Sequence, residues 1–355
     1  MGLRWTFDRI NADSMFPMGT RGWILSRSNG HFSFHMRPAS TSQVEVAPRF
    51  VPPLETSVGI LIQGPVLKEG NFTVETVRLY RRIFPGSPIV VSTWDDTSPK
   101  ILAQIESLGV KTVVSSRPAA TGWGNVRLQM ISTNVGIRAL LNEGCSFVAK
   151  TRTDWRMYRS TSLSRLLDLI NYFPLSQHRG QNKRIIAANI FTHKHRVYGL
   201  TDIFQFGEIN DLLQYWDIES TTFKVGSTSF NLDSPLIVDG TPVVAEIFLC
   251  ARYLSRLGID LTFELRQWWD CLRDQFLVVD NSMLDAIWHK YEFRREHRGS
   301  FSYRLRGSLL VDHLDWLTLQ LNANTGWGDM PFQERWVHGQ IDGSPSAGGI
   351  SQVEV

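Results

Sequence analysis

Five short apolar runs, spaced by stretches of helical length, constrain this chain more than any other feature. They begin at Val58, Ile89, Val110, Phe147 and Ile185, and the first three are rich in β-branched residues. Such runs read as buried strands, because branched side chains pack well on a pleated surface. The intervening segments carry helix punctuation. Thr73 is placed to cap a helix through Phe84, with Val74, Val77 and Tyr80 at helical spacing and Pro85-Gly86 as its stop. Pro99 opens a second helix that ends before Gly109, and Asn125 to Asn142 reads as a long third. Ser162 to Tyr172 reads as a fourth. Strands joined by connections of this length need crossovers, so the spacing predicts an α/β fold with a mostly parallel central sheet flanked by helices.

This alternation bounds one domain over residues 56–322. Residues 1–55 lack periodicity and end at Pro52-Pro53, which predicts a poorly ordered N-terminal extension. Residues 323–355 are rich in Gly, Ser and Asn and read as a flexible tail. A net charge of +3 is too small to argue for nucleic acid as a partner. Cys145, Cys250 and Cys271 fit neither a zinc pattern nor a disulfide framework, which suits a reducing compartment. No apolar run approaches the roughly 18 residues needed to span a bilayer, and Met1 to Trp23 lacks the pattern of a secretory signal. The expected location is therefore cytoplasmic, and the sequence sets no oligomeric state.

The fourth run ends abruptly in charge: Phe147-Val-Ala-Lys150-Thr-Arg152-Thr-Asp154. Side chains two apart in a strand share a face, so Lys150, Arg152 and Asp154 are expected to project together. In open α/β sheets ligands bind outside the carboxyl ends of the strands. Two cations and a carboxylate there suit an anionic ligand, with Lys150 and Arg152 on phosphates and Asp154 on a divalent metal or a sugar hydroxyl. The bland alternative is a strand-end ion pair that satisfies Asp154 through Arg152 or Arg156.

Other strand ends add candidates. Gln63 and Gly64 close the first strand, where glycine would let a ligand approach the backbone and Gln63 could hydrogen-bond it. Asp95 follows the second strand and could accept from a base or ribose, with Trp94 as a stacking face; turn-and-cap chemistry is the competing reading. Arg127 opens the long helix, where helix N-termini attract anions and arginine can fork onto a diphosphate. Asp202 precedes an aromatic segment ending at Gly207, and Glu246 opens an apolar helix as a candidate general base. His193, His195 and His313 are weaker candidates for a metal, a solvated loop or a satisfied core histidine being the simpler readings. Trp123, Trp155, Trp268 and Trp269 offer faces for sugar rings. No Walker A loop or dinucleotide glycine fingerprint is present.

Taken in order, Gln63-Gly-Pro-Val66, Phe84-Pro-Gly86, Ser92-Thr-Trp94, the Arg127 helix, Lys150-Thr-Arg-Thr-Asp154 and Asp202-Ile-Phe-Gln-Phe-Gly207 resemble the WavE lipopolysaccharide-synthesis family. The resemblance implies a GT-A-like glycosyltransferase domain, Rossmann-like in its sheet. The reaction it implies moves a sugar from a nucleotide-diphosphate donor to a cell-surface polysaccharide or lipopolysaccharide-type acceptor, with the enzyme peripheral to the membrane where that acceptor is assembled. It places Gln63, Gly64 and Asp95 near the nucleotide, Arg127, Lys150 and Arg152 at the diphosphate, and Asp154 at the metal or ribose. Glu246 and Asp202 are then the catalytic candidates, in that order. GT-A enzymes commonly hold Mn2+ or Mg2+ through Asp-x-Asp, but Arg152 stands at the first acidic position here.

Two rival functions are a nucleotidyltransferase of nucleotide-sugar metabolism and a catalytically inactive carbohydrate-binding domain. The first would ordinarily need a glycine- and Arg/Lys-rich loop after the first strand. The second would keep its glycan affinity when Asp154 and Glu246 are replaced.

Overall fold

Strands that are apolar on both faces must be covered on both faces, and the architecture follows from that requirement. The computed structural model describes residues 56–289 and 310–321, apart from 177, 220, 226–227, 234–236, 239–240 and 243. The expected extension (1–55) and tail (323–355) lie outside the described residues. The strands are β1 (Val58–Gln63), β2 (Ile89–Trp94), β3 (Lys111–Ser115), β4 (Phe147–Arg152), β5 (Trp155–Met157), β6 (Ile185–Ala188) and β7 (Gln205–Glu208), followed by β8 (Thr222–Val225), β9 (Thr228–Asn231), β10 (Ile237–Val238), β11 (Thr241–Pro242), β12 (Phe276–Val279) and β13 (Ala286–Trp288). The helices are α1 (Phe72–Ile83), α2 (Pro99–Glu106), α3 (Val126–Asn142), α4 (Ser162–Tyr172), α5 (Ile209–Tyr215), α6 (Ala245–Arg256), α7 (Leu265–Gln275) and α8 (His313–Leu321).

Seven strands form the central sheet in the order β12-β6-β7-β4-β1-β2-β3. Only β7 runs antiparallel to its neighbours, β4 and β6. The other pairings, β12 with β6, β4 with β1, β1 with β2 and β2 with β3, are parallel. The α/β, mostly parallel expectation therefore holds. Every strand but β7 ends on one edge, and the end of β4 lies near its middle. The residues of β1, β2, β6 and β12 are buried throughout.

Two local features differ from the sequence expectation. Thr73 does not cap α1, whose N-cap is Asn71 in the left-handed region. Its hydroxyl accepts from Leu67 N (2.9 Å) and donates to Thr153 O (2.9 Å), tying the β1–α1 connection to the turn after β4. Asp154 lies in that turn rather than on the strand, because β4 ends at Arg152.

Helix α3 lies very close to β1 and β2 at Gly136. A Cβ there would meet Leu61 Cδ1 at 2.3 Å and Ser92 Cβ at 3.1 Å. Gly136→Ala is therefore expected to lower stability by about 1–3 kcal/mol through overpacking. Gly86→Ala, where an added Cβ meets nothing within 4 Å, is expected to be nearly silent. Urea unfolding of the two variants checks this, and equal effects would contradict the close approach.

Candidate active site

The site is built from the ends of β1 and β4, stitched together by backbone. Thr153 N donates to Gln63 O (3.0 Å), and Thr153 Oγ1 donates to Pro65 O (2.6 Å). Gly64 adopts φ +117°, and a Cβ there would sit 3.2 Å from Thr153 Oγ1. Its glycine is thus explained by the turn that presents Asp154. The Gln63 side chain is buried and accepts from Ser132 Oγ of α3 (2.8 Å), so it faces the helix covering the sheet.

Lys150, Arg152 and Asp154 do not form a single exposed face. Lys150 pairs in register with Leu61 on one side and Gln205 on the other, one pleat inside the sheet edge, and is wholly buried. Its ammonium donates to Asp202 O and lies 4.6 Å from the centroid of the Trp216 ring. Trp216 Nε1 in turn donates to Gln205 Oε1 (2.7 Å), and Gln205 Nε2 donates to Thr201 O (3.1 Å). This network clamps the Thr201-Asp202 segment against β4. Period two located the face of Lys150 correctly, but said nothing of its depth.

Arg152 does reach the edge. Its Nε and Nη2 fork onto the two oxygens of Asp154 (3.0 and 3.2 Å), and its Nη1 lies 3.9 Å from Asp202 Oδ2. The guanidinium also lies 5.7 Å from the ring centroid of Trp288 on β13. Burial opposes the Arg152 cation, but Asp154 and Asp202 outweigh it and keep the group firmly charged. Burial likewise pushes Asp154 up, while Arg152 and the Trp288 indole hold its pKa below the usual carboxylate range. The ion pair considered as the bland alternative is present, and Asp202 extends it to three groups.

Glu246, in the first turn of α6, joins this cluster. Burial and the neighbouring Asp202 carboxylate push its pKa up to about 7, against the smaller opposing pull of Arg196 and Arg152. Asp202 is almost completely buried. Two acids with one partly protonated near neutrality, beside a fixed guanidinium, make a competent proton acceptor. Arg196, on the β6–β7 connection, is the charged group that sequence reasoning passed over; burial lowers its pKa and Glu246 offsets this in part. The alternating His193-Lys-His-Arg196 stretch was the available signal. Trp288 carried none, since it arrives from a strand more than a hundred residues downstream.

The remaining candidates have other surroundings. Asp95 is exposed just beyond β2, whereas Trp94 is buried under the Arg117 guanidinium (5.3 Å) and offers no stacking face. Arg127 pairs with Asp233 (2.7 Å), on the turn after β9. His313 is a packed histidine, its Nδ1 2.7 Å from Val278 O and its ring stacked on Trp316. Trp155, Trp268 and Trp269 are core residues, while Trp123 is 39% exposed.

A divalent ion does not fit these side chains as they stand. Asp154 already accepts a two-pronged arginine, and Arg152 occupies the position where a second acid would help. Among the described residues no group of three His, Cys, Asp or Glu could hold a metal. No helix among them is long and apolar enough to cross a membrane.

Burial lowers the Lys150 pKa to about 7, the nearby Asp202 offsetting only part of that cost. The unfolded chain keeps the ordinary lysine value, so between about pH 7 and 10 it binds the extra proton and stability rises with pH. Relative to Lys150→Met, the wild-type chain is expected to gain about 2 kcal/mol between pH 7 and 9. Urea unfolding of both proteins at the two pH values measures this; a difference that does not change with pH would contradict a buried, titrating lysine.

No curated protein matches the sequence. Among solved structures, glucosyl-3-phosphoglycerate synthase from Mycobacterium tuberculosis, in complex with Mn2+, uridine diphosphate and phosphoglyceric acid, is similar at 12% identity and a TM-score of 0.34, over 64% of this chain and 69% of that one. A glycosyltransferase involved in the glycosylation of the major capsid of PBCV-1 is similar at 13% identity and a TM-score of 0.27, over 46% and 66%. A protein described as a glucose-1-phosphate thymidylyltransferase from Bacillus anthracis, in complex with sucrose, is similar at 5% identity and a TM-score of 0.30, over 46% and 77%. Residues 58–284 match the model of the WavE lipopolysaccharide synthesis family, and the chain belongs to that family.

Proposed function

We propose that the chain is a glycosyltransferase that moves a sugar from a nucleotide-diphosphate donor to a polysaccharide or lipopolysaccharide-type acceptor. The observation that carries this reading is the Glu246–Asp202 carboxylate pair set against the Arg152–Asp154 fork, at the carboxyl edge of a mostly parallel sheet. Membership of a family concerned with lipopolysaccharide synthesis supports it.

In this reaction the bond from the donor sugar's C1 to the diphosphate oxygen breaks, and negative charge grows on the departing phosphate. Arg152 is the cation we assign to that charge. Two of its N–H directions are fixed by Asp154, which keeps the guanidinium from reorienting as charge develops, and Nη1, 3.9 Å from Asp202 Oδ2, is the nitrogen we assign to the phosphate. Glu246 is assigned as the base that takes the proton from the acceptor hydroxyl as that oxygen bonds to C1. Asp202 raises the proton affinity of Glu246 and is itself held in place by Lys150. Lys150 therefore acts through Asp202 and is a positioning residue. Asp95, exposed at the end of β2, is assigned to the nucleoside. No step is routed through a metal, because the ligand set does not fit one.

The test is a screen of nucleotide sugars with lipopolysaccharide or polysaccharide acceptors, read by product formation. Glu246→Gln is expected to lower transfer by about 10²–10⁴-fold while nucleoside-diphosphate binding is kept. The rate of the wild-type enzyme should rise with pH through about 7, as Glu246 loses its proton. In Asp202→Asn the like charge is gone, so that rise should move to lower pH. A profile unmoved by Asp202→Asn would refute Glu246 as the base.

A further inference from the structure

Among the tryptophans expected to meet sugars, Trp123 is the one the fold leaves at the surface, and its position is built rather than incidental. It sits in a short turn, Trp123–Asn125, at the head of α3. Gly122, Gly124 and Asn125 all have positive φ, of 72°, 56° and 60°. The turn is held on both sides of the indole. Trp123 N donates to Leu232 O (3.2 Å), and a Cβ on Gly122 would meet Leu232 at 3.3 Å. On the other side, a Cβ on Gly124 would lie 3.4 Å from the Cβ of Ala245. Ala245 immediately precedes Glu246. Val244, one residue earlier, is also 38% exposed, so the turn that carries the indole packs against the start of α6 where that helix begins at the surface.

We propose that Trp123 is the platform on which the acceptor's sugar ring stacks. This rests on the assignment of Glu246 as the base. A pyranose has an apolar C–H face and a rim of hydroxyls, so the face suits a flat indole and the rim suits a carboxylate such as Glu246. The hydroxyl that Glu246 deprotonates belongs to the acceptor, so the surface adjoining Glu246 is the acceptor's side of the site. The donor's diphosphate is assigned to Arg152. A tight turn that fixes the backbone carrying an exposed indole before any ligand arrives lowers the ordering cost of binding.

Saturation-transfer NMR with the methyl glycosides of glucose, galactose and N-acetylglucosamine tests the platform directly, without requiring turnover. At least one glycoside should receive saturation from the wild-type chain. The signal should fall about tenfold in Trp123→Ala and be largely retained in Trp123→Phe, since either ring can stack. Uridine or guanosine diphosphate affinity, measured by calorimetry, should be unchanged in Trp123→Ala. The proposal is overturned if no glycoside binds the wild-type chain, or if Trp123→Ala leaves the glycoside signal intact. It is also overturned if Trp123→Ala weakens the nucleoside diphosphate instead, which would make the indole a base-stacking residue. Glycoside binding that depends on Trp123, in a chain showing no transfer, would keep the platform and refute the catalytic reading.

Discussion

The structure around the site depends on one guanidinium held among carboxylates at the end of a buried strand. Arg152 forks onto Asp154 and faces Asp202, and none of the three is more than about a quarter exposed. Charges removed this far from water are costly unless each has a partner, and taking away one member strands the others. That constraint accounts for much of the surrounding architecture. Thr153 is bonded to Gln63 and Pro65, Thr73 is bonded to Thr153, and Lys150 is buried beneath Trp216 to hold the carbonyl of Asp202. Each contact fixes a backbone segment that carries one of the charges.

The same arrangement gives the carboxylates different characters. Asp154 is held ionised by a direct two-pronged partner. Glu246, half-buried near Asp202 and only weakly opposed by Arg196 and Arg152, is pushed toward neutrality. A fixed cation beside an acid whose pKa lies near neutrality is what the proposed glycosyl transfer would ask of a protein: one group for the charge that leaves, another for the proton that is taken. The division arises from placement, since β4 supplies the cation and α6, nearly a hundred residues later, supplies the acid with the raised pKa.

Much of this was legible in the residues. The apolar runs at Val58, Ile89, Val110, Phe147 and Ile185 became strands of one sheet, and all but one are largely buried; β3, from the Val110 run, lies at the edge of the sheet and keeps Val114 exposed, against the expectation of a buried strand. Arg152, Asp154, Asp202 and Glu246 were each singled out, and the fold brings them together. Depth was not legible. Lys150 and Arg152 share a face, yet one is core and the other edge, and only the register with β1 and β7 decides which. Nor was the direction of β7, since Gln205–Glu208 is too short for its pattern to reveal an antiparallel strand. Trp288 and Arg196 come from segments whose distance in sequence hides their place beside the cluster.

The central claim is that the Arg152 cluster exists to receive a nucleoside diphosphate rather than only to close the end of a strand. The direct measurement is calorimetric titration of uridine and guanosine diphosphates into the wild-type chain and into Arg152→Met combined with Asp154→Asn, a pair of changes that preserves net charge. The account predicts saturable binding of one of the nucleotides by the wild-type chain and its loss in the double variant, which should still melt cooperatively. Equal binding by the two proteins, or none by the wild-type chain, would contradict it.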